Sequence, residues 1–116
     1  MPLLRLTTNQ EMATTEARAD FLRQASAELA ELLGKPEAYC MVTLDTGASL
    51  LFAGTDEPAA FAELASLGLP TDDTKRLSAA LCDLVQEGLG VAPGRVYIHF
   101  QDVERPMWGT NRTTFG

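Results

Sequence analysis

Proline follows the first methionine in this chain, and the Met1-Pro2 pair is the residue pattern with the sharpest chemical content. Aminopeptidases remove a leading methionine when a small residue or proline comes next, which leaves Pro2 with a free secondary amine. Such an amine is a neutral base only when its ammonium form is disfavoured, by burial in an apolar site or by a nearby cation. A base poised near neutrality is what proton abstraction beside a carbonyl requires. Many chains begin Met-Pro without consequence, so the pair does not decide the matter alone. Lys35, one of two lysines with Lys75, is a candidate cation for a substrate carboxylate. It also stands where a helix is expected to end, and a positive charge there meets the helix dipole favourably. Tyr97 and His99 alternate with Val96, Ile98 and Phe100, so they share a strand face turned away from the core. Tyr97 there lines a site between chains or is simply an interface aromatic. A lone histidine without a paired carboxylate is more often structural than catalytic.

These residues sit on a chain of 116 amino acids with 9 basic and 16 acidic side chains, a formal charge of −7. One domain covering residues 1–116 is the expected organisation at this length. The acidic balance argues against a nucleic-acid partner, whose phosphates need clustered Lys and Arg, and against anionic membrane surfaces. No apolar run approaches the roughly 20 residues of a membrane span. The N-terminus lacks a basic segment followed by a long apolar stretch, so no export signal is expected. Cys40 and Cys82 are too few and too far apart for a disulfide framework or a zinc site. With no glycine-rich phosphate loop and no His/Cys ligand cluster, neither cofactor nor metal is expected. The reading is a reduced, cytoplasmic protein.

The elements that must position these side chains come in two similar halves. Leu3–Thr7 reads as a short strand. Thr14-Thr15-Glu16 supplies an N-cap and an acidic first turn. Ala17, Phe21, Ala25, Leu29 and Leu32-Leu33 then recur at helical spacing, with Arg18, Arg23, Glu28 and Glu31 off that stripe. Gly34 and Pro36 end the helix, and Tyr39–Leu44 is a β-like run. In the second half Thr71-Asp72-Asp73 caps a helix carrying Leu77, Leu81, Leu84-Val85 and Leu89, which Gly90 ends. Arg95–Phe100 alternates as a strand. Both helix exits run from glycine through proline into a strand, which points to a tandem βαβ repeat with halves near 1–57 and 58–116. Residues 58–68 look helical by propensity, yet the repeat requires a strand there, equivalent to Leu3–Thr7. Residues 48–52 are a candidate further strand. The fold class is therefore α+β, a four-stranded mixed sheet with two helices on one face. The uncovered face, which carries either Tyr39, Met41 and Thr43 or Cys40, Val42 and Leu44, calls for an oligomer. Residues 107–116, with Trp108 and Phe115, read as an arm reaching a neighbouring chain.

The ordered set Met1-Pro2, Leu6-Thr7-Thr8-Asn9, Gly34-Lys35-Pro36, Thr55-Asp56-Glu57-Pro58, Ser66-Leu67-Gly68, Pro93 to Ile98 and Thr113-Thr114-Phe115 spans the chain. On these residues the chain resembles the tautomerase superfamily, within it the macrophage migration inhibitory factor group that includes D-dopachrome tautomerase. The resemblance implies a homotrimer with sites at the subunit interfaces and an α-keto acid or its enol as substrate. It implies Pro2 as the general base and Lys35 at the substrate's carboxylate or carbonyl end. Leu67 falls where the family has an isoleucine whose backbone N–H holds substrate. Tyr97 matches a tyrosine given by the adjacent subunit, and His99 falls where the mammalian factor has asparagine. Trp108 and Phe115 would wall the pocket, although Trp108 precedes Gly109 rather than following it. A Cys-x-x-Cys pair of the mammalian factor is replaced by Ala59, Ala60, Phe61 and Ala62, which excludes thiol redox chemistry through it. Arg76 is a candidate for the substrate arginines of other superfamily branches, but its companions are missing. Two function classes follow: a phenylpyruvate-type tautomerase, or a trimeric cytokine-like interaction protein with a vestigial pocket. The second is compatible with release by a non-classical route.

Overall fold

The computed structural model describes residues 1–116. Strand β1 (Leu3–Thr8) leads to helix α1 (Thr15–Leu33) and strand β2 (Met41–Asp45). Strand β3 (Ala60–Leu67), helix α2 (Thr74–Leu89) and strand β4 (Val96–Val103) repeat that plan, and a short hairpin, β5 (Gly109–Thr110) with β6 (Thr113–Thr114), closes the chain. The sheet order is β2-β1-β3-β4. Strands β1 and β2 run parallel, as do β3 and β4, while β1 and β3 meet antiparallel in the middle. The two βαβ halves expected from the helix exits are therefore present.

The correspondence extends to the connections. The Thr14 hydroxyl accepts from Ala17 N at 3.0 Å and starts α1. Gly34 and Gly90 end the helices in left-handed conformations, φ 61° and 70°, which glycine adopts without a Cβ penalty. A single 3-10 turn follows each, Glu37–Tyr39 and Pro93–Arg95, and delivers the chain to β2 and β4. Tyr39 consequently precedes its strand rather than opening it. The entry to α2 differs from expectation. Asp73 makes no capping bond with its side chain and instead holds Arg76 through both carboxylate oxygens, at 2.8 and 2.6 Å.

Segment 60–67 is a strand despite its helical propensity. It lies between β1 and β4, so both of its edges are hydrogen-bonded, and two ladders outweigh the small preference of alanine for helix. Ala60, Ala62 and Leu64 face the helices and join Leu4, Leu6 and Val96 beneath Phe21, Ala25, Leu29, Leu77, Leu81 and Val85. Small alanines on the central strand allow α1 and α2 to settle close to the sheet. Leu64 is 1% exposed at the centre of that layer. Leu64→Ala should lower unfolding stability by about 2–4 kcal/mol, measured by urea titration, because little around it can collapse into the space.

One expectation is corrected. Residues 48–52 do not form a strand. Phe52 pairs only with Thr55, across a reversal at Ala53 and Gly54 whose φ values are positive. Residues 107–116 carry local structure, a short hairpin of β5 with β6. Arg105 Nε donates to Phe115 O at 2.8 Å and Phe115 N to Trp108 O at 3.1 Å, folding the tail back as a hairpin on its own protomer.

Candidate functional site

The first residues are tied to the middle of the sheet. Leu3 pairs with Met41 on one side and Ala65 on the other, and Met41 N donates to the carbonyl of Pro2 at 3.0 Å. The Pro2 side chain is fully buried. It borders an open cleft of ≈ 690 Å³, whose walls include Tyr39, Cys40, Met41, Trp108 and Phe115. The lining is mostly apolar, a suitable surface for a flat aromatic group. Lys35 reaches the same end of the sheet from the exit of α1. Its ammonium donates to the carbonyl of Leu67, the last residue of β3, at 2.6 Å. One N–H is thereby used and two remain for another acceptor.

The electrostatics at this end favour a neutral amine. The Met1 amine, next to Pro2, is held below its ordinary pKa, first by burial and then by the positive charge of Lys35. A Coulombic contribution from Cys40 opposes these effects. Burial also pushes the Cys40 thiol up, so sulfur is a poor competitor for the role of base in this cleft.

Tyr97 and His99 lie elsewhere in the protomer. Tyr97 pairs with Phe61, which pairs with Thr7; His99 pairs with Glu63, which pairs with Arg5. From Pro2 to the level of Tyr97 is about 16 Å along the strands and about 10 Å across two strand spacings. One protomer therefore cannot bring Tyr97 to its own Pro2 cleft. Both residues do emerge on the helix-free face as the alternation requires, with Tyr97 68% exposed. Met41, not Val42, shares that face from β2.

His99 has a partner that spacing did not show. Glu63 Oε2 lies 4.0 Å from His99 Nδ1, and Glu63 Oε1 is 3.3 Å from Arg5 Nη1. The three strands thus carry a row Arg5–Glu63–His99 across the open face. Arg76, by contrast, is committed to Asp73 and to the carbonyl of Leu32 at 2.7 Å, bordering an acidic groove between the helices. It does not reach the Pro2 cleft.

The model of one protein family, described as macrophage migration inhibitory factor (MIF), matches residues 1–116 of this chain. The chain belongs to the macrophage migration inhibitory factor family. Among the relatives of this family member, the macrophage migration inhibitory factor homolog of Trichuris trichiura is 37% identical over 116 residues, covering 99% of this chain and 100% of the relative. The mouse macrophage migration inhibitory factor is 32% identical, covering 99% of each chain. Among solved structures, the homologue from Prochlorococcus marinus superposes with a TM-score of 0.90 at 37% identity, covering 98% of this chain and 99% of that one. The Trichinella spiralis factor gives 0.89 at 36% identity, covering 97% and 99%. The macrophage migration inhibitory factor fold therefore applies to the whole chain. Sequence reasoning missed three residues in this family member that geometry brings forward: Glu63 beside His99, Cys40 beside Pro2, and Phe52 against Tyr97. Only Cys40 gives a local signal, as a member of one of the two alternating sets expected on the uncovered sheet face.

Proposed function

We propose that this family member is a cofactor-independent keto–enol tautomerase acting on phenylpyruvate-like α-keto acids, with Pro2 as general base once Met1 is removed. The observation that best supports this reading is the setting of Pro2. It is fully buried at the edge of an apolar cleft, next to the Met1 amine, whose pKa burial and Lys35 together depress. The Pro2 nitrogen takes the proton from the carbon next to the substrate carbonyl and returns it to oxygen, or the reverse. The two free N–H groups of Lys35 donate to the carboxylate or the developing enolate, and the Leu67 amide adds a donor. Trp108 and Phe115 take the aromatic ring. No step calls for a metal or a nucleotide.

The distance between Tyr97 and Pro2 within a protomer bears on assembly. A second copy must supply Tyr97 and His99 if they are to touch substrate, and the helix-free face with exposed Met41 and Tyr97 is the surface to bring it. The resemblance to the tautomerase superfamily makes the closed assembly a homotrimer. Light scattering should return three times the 12.5 kDa chain mass. A cytoplasmic setting agrees with two free cysteines; no helix is long and apolar enough to cross a membrane.

Intact mass followed by phenylpyruvate ketonisation on the same sample tests the reading. The expected outcome is a chain lacking the methionine mass and an active enzyme. A processed chain without activity would move the assignment to an interaction protein whose pocket is vestigial.

A further inference from the structure

Tyr97 is exposed, yet its ring is held. Phe52 meets it edge to face, with centroids 4.8 Å apart and planes at 69°. Phe52 lies in turn under the Arg95 guanidinium, 5.0 Å from its ring centroid. Arg95 spends its fork on the backbone of the following segment, donating to Pro58 O at 2.8 Å, Glu57 O at 3.0 Å and Thr55 O at 3.4 Å. Asn9 fastens the same segment from β1's end, donating to Asp56 O and Glu57 O and accepting from Ala59 N at 3.0 Å. Phe52 and Thr55 exchange backbone bonds of 3.0 and 3.1 Å across the reversal between them. A segment without regular structure is thus pinned at both ends, and its pinned aromatic is the one that touches Tyr97.

We infer that Phe52 and Arg95 are positioning residues, which lock the Tyr97 ring in one orientation so that it discriminates aryl from aliphatic α-keto acids in the cleft of a neighbouring copy. The inference rests on the tautomerase reading and deepens it, because it names what sets the substrate class. An edge-to-face stack under a guanidinium restricts the tyrosine's rotamers before substrate arrives. Without it, the ring must be ordered at the expense of binding, while the proton transfer at Pro2 is untouched.

The test follows deuterium incorporation next to the carbonyl by proton NMR, with phenylpyruvate and with an aliphatic 2-oxo acid of five or six carbons. The wild type is compared with Phe52→Leu, Phe52→Tyr and Arg95→Met. For Phe52→Leu and Arg95→Met, KM for phenylpyruvate should rise about 3- to 10-fold with kcat in place. The aliphatic acid should be handled as by wild type, and Phe52→Tyr, which keeps the ring, should retain the wild-type KM. Equal losses for both substrates would show a general folding role and overturn the inference, as would variants indifferent to phenylpyruvate. If Phe52→Leu does not fold, Arg95→Met carries the same comparison. A wild type that exchanges neither acid would overturn the tautomerase reading itself, whereas an active wild type with indifferent variants overturns only the positioning role.

Discussion

A chain extended by one alanine between Met1 and Pro2 is expected to lose tautomerase activity by about 10²- to 10⁴-fold, the usual contribution of a positioned general base. Methionine removal from this variant leaves Ala-Pro, in which the Pro2 nitrogen is a tertiary amide with no lone pair available to a proton. The fold should survive the insertion. Pro2 enters the sheet through its carbonyl, which accepts from Met41 N, and that bond does not involve the proline nitrogen. Pro2→Gly tests the same atom differently. It keeps a free amine but replaces a secondary, ring-held base with a primary, mobile one in a space shaped for the ring. Its activity should fall well below wild type and above the extended chain. The measurement is kcat/KM for phenylpyruvate, with intact mass confirming each N-terminus. Extended chains as active as wild type would remove Pro2 from the mechanism. Within the cleft lining, the Cys40 thiol is pushed toward its protonated form by burial, so sulfur does not stand ready to replace the amine.

The same cleft shows which parts of this protein could be read in its sequence. Helix exits at Gly34 and Gly90 carry local signals, glycine and then proline, and their likeness implies two βαβ halves without reference to packing. That likeness also overrode the helical propensity of residues 60–67, correctly, because the repeat is a statement about tertiary pairing and propensity is not. Pro2, Lys35 and Leu67 are legible from chain position and resemblance, and the structure gathers them at one end of the sheet. Other features depend on register between strands distant in sequence. Glu63 stands beside His99 only because β3 and β4 pair Ala60 with Val96, and a slip of one residue would have turned it to the core. A carboxylate therefore stands 4.0 Å from His99, an ion pair when the imidazole is protonated. Phe52 reached Tyr97 by a loop reversal at Ala53 and Gly54, where neither periodicity nor charge gives warning. The hairpin of the tail is illegible for a similar reason, since the Arg105 bond that closes it joins two residues of no recognisable motif.

Lys35→Met is expected to lower kcat/KM for phenylpyruvate by about 10- to 100-fold, the range for losing a hydrogen bond to a charged group, and to move the acid limb of the pH profile upward. The first effect follows from geometry: with one N–H on Leu67 O, the ammonium is fixed at the end of β3 and offers its other donors to a carboxylate. The second follows from the amine. At the Met1 amine burial is the larger cause of a lowered pKa and Lys35 the next, and the Pro2 amine freed by methionine removal is expected to meet the same two influences. Deleting the cation leaves the burial effect and removes the Coulombic one. The amine's pKa rises, a larger fraction is protonated at a given pH, and activity appears only at higher pH. Lys35→Arg keeps the charge and should keep the acid limb, while its planar fork, unlike a compact ammonium, fits the Leu67 carbonyl and substrate less well and raises KM. The two variants therefore separate the cation's effect on the base from its grip on substrate. A Lys35→Met profile displaced only in height, with its acid limb unmoved, would mean that burial alone tunes the amine and that Lys35 acts solely on the substrate.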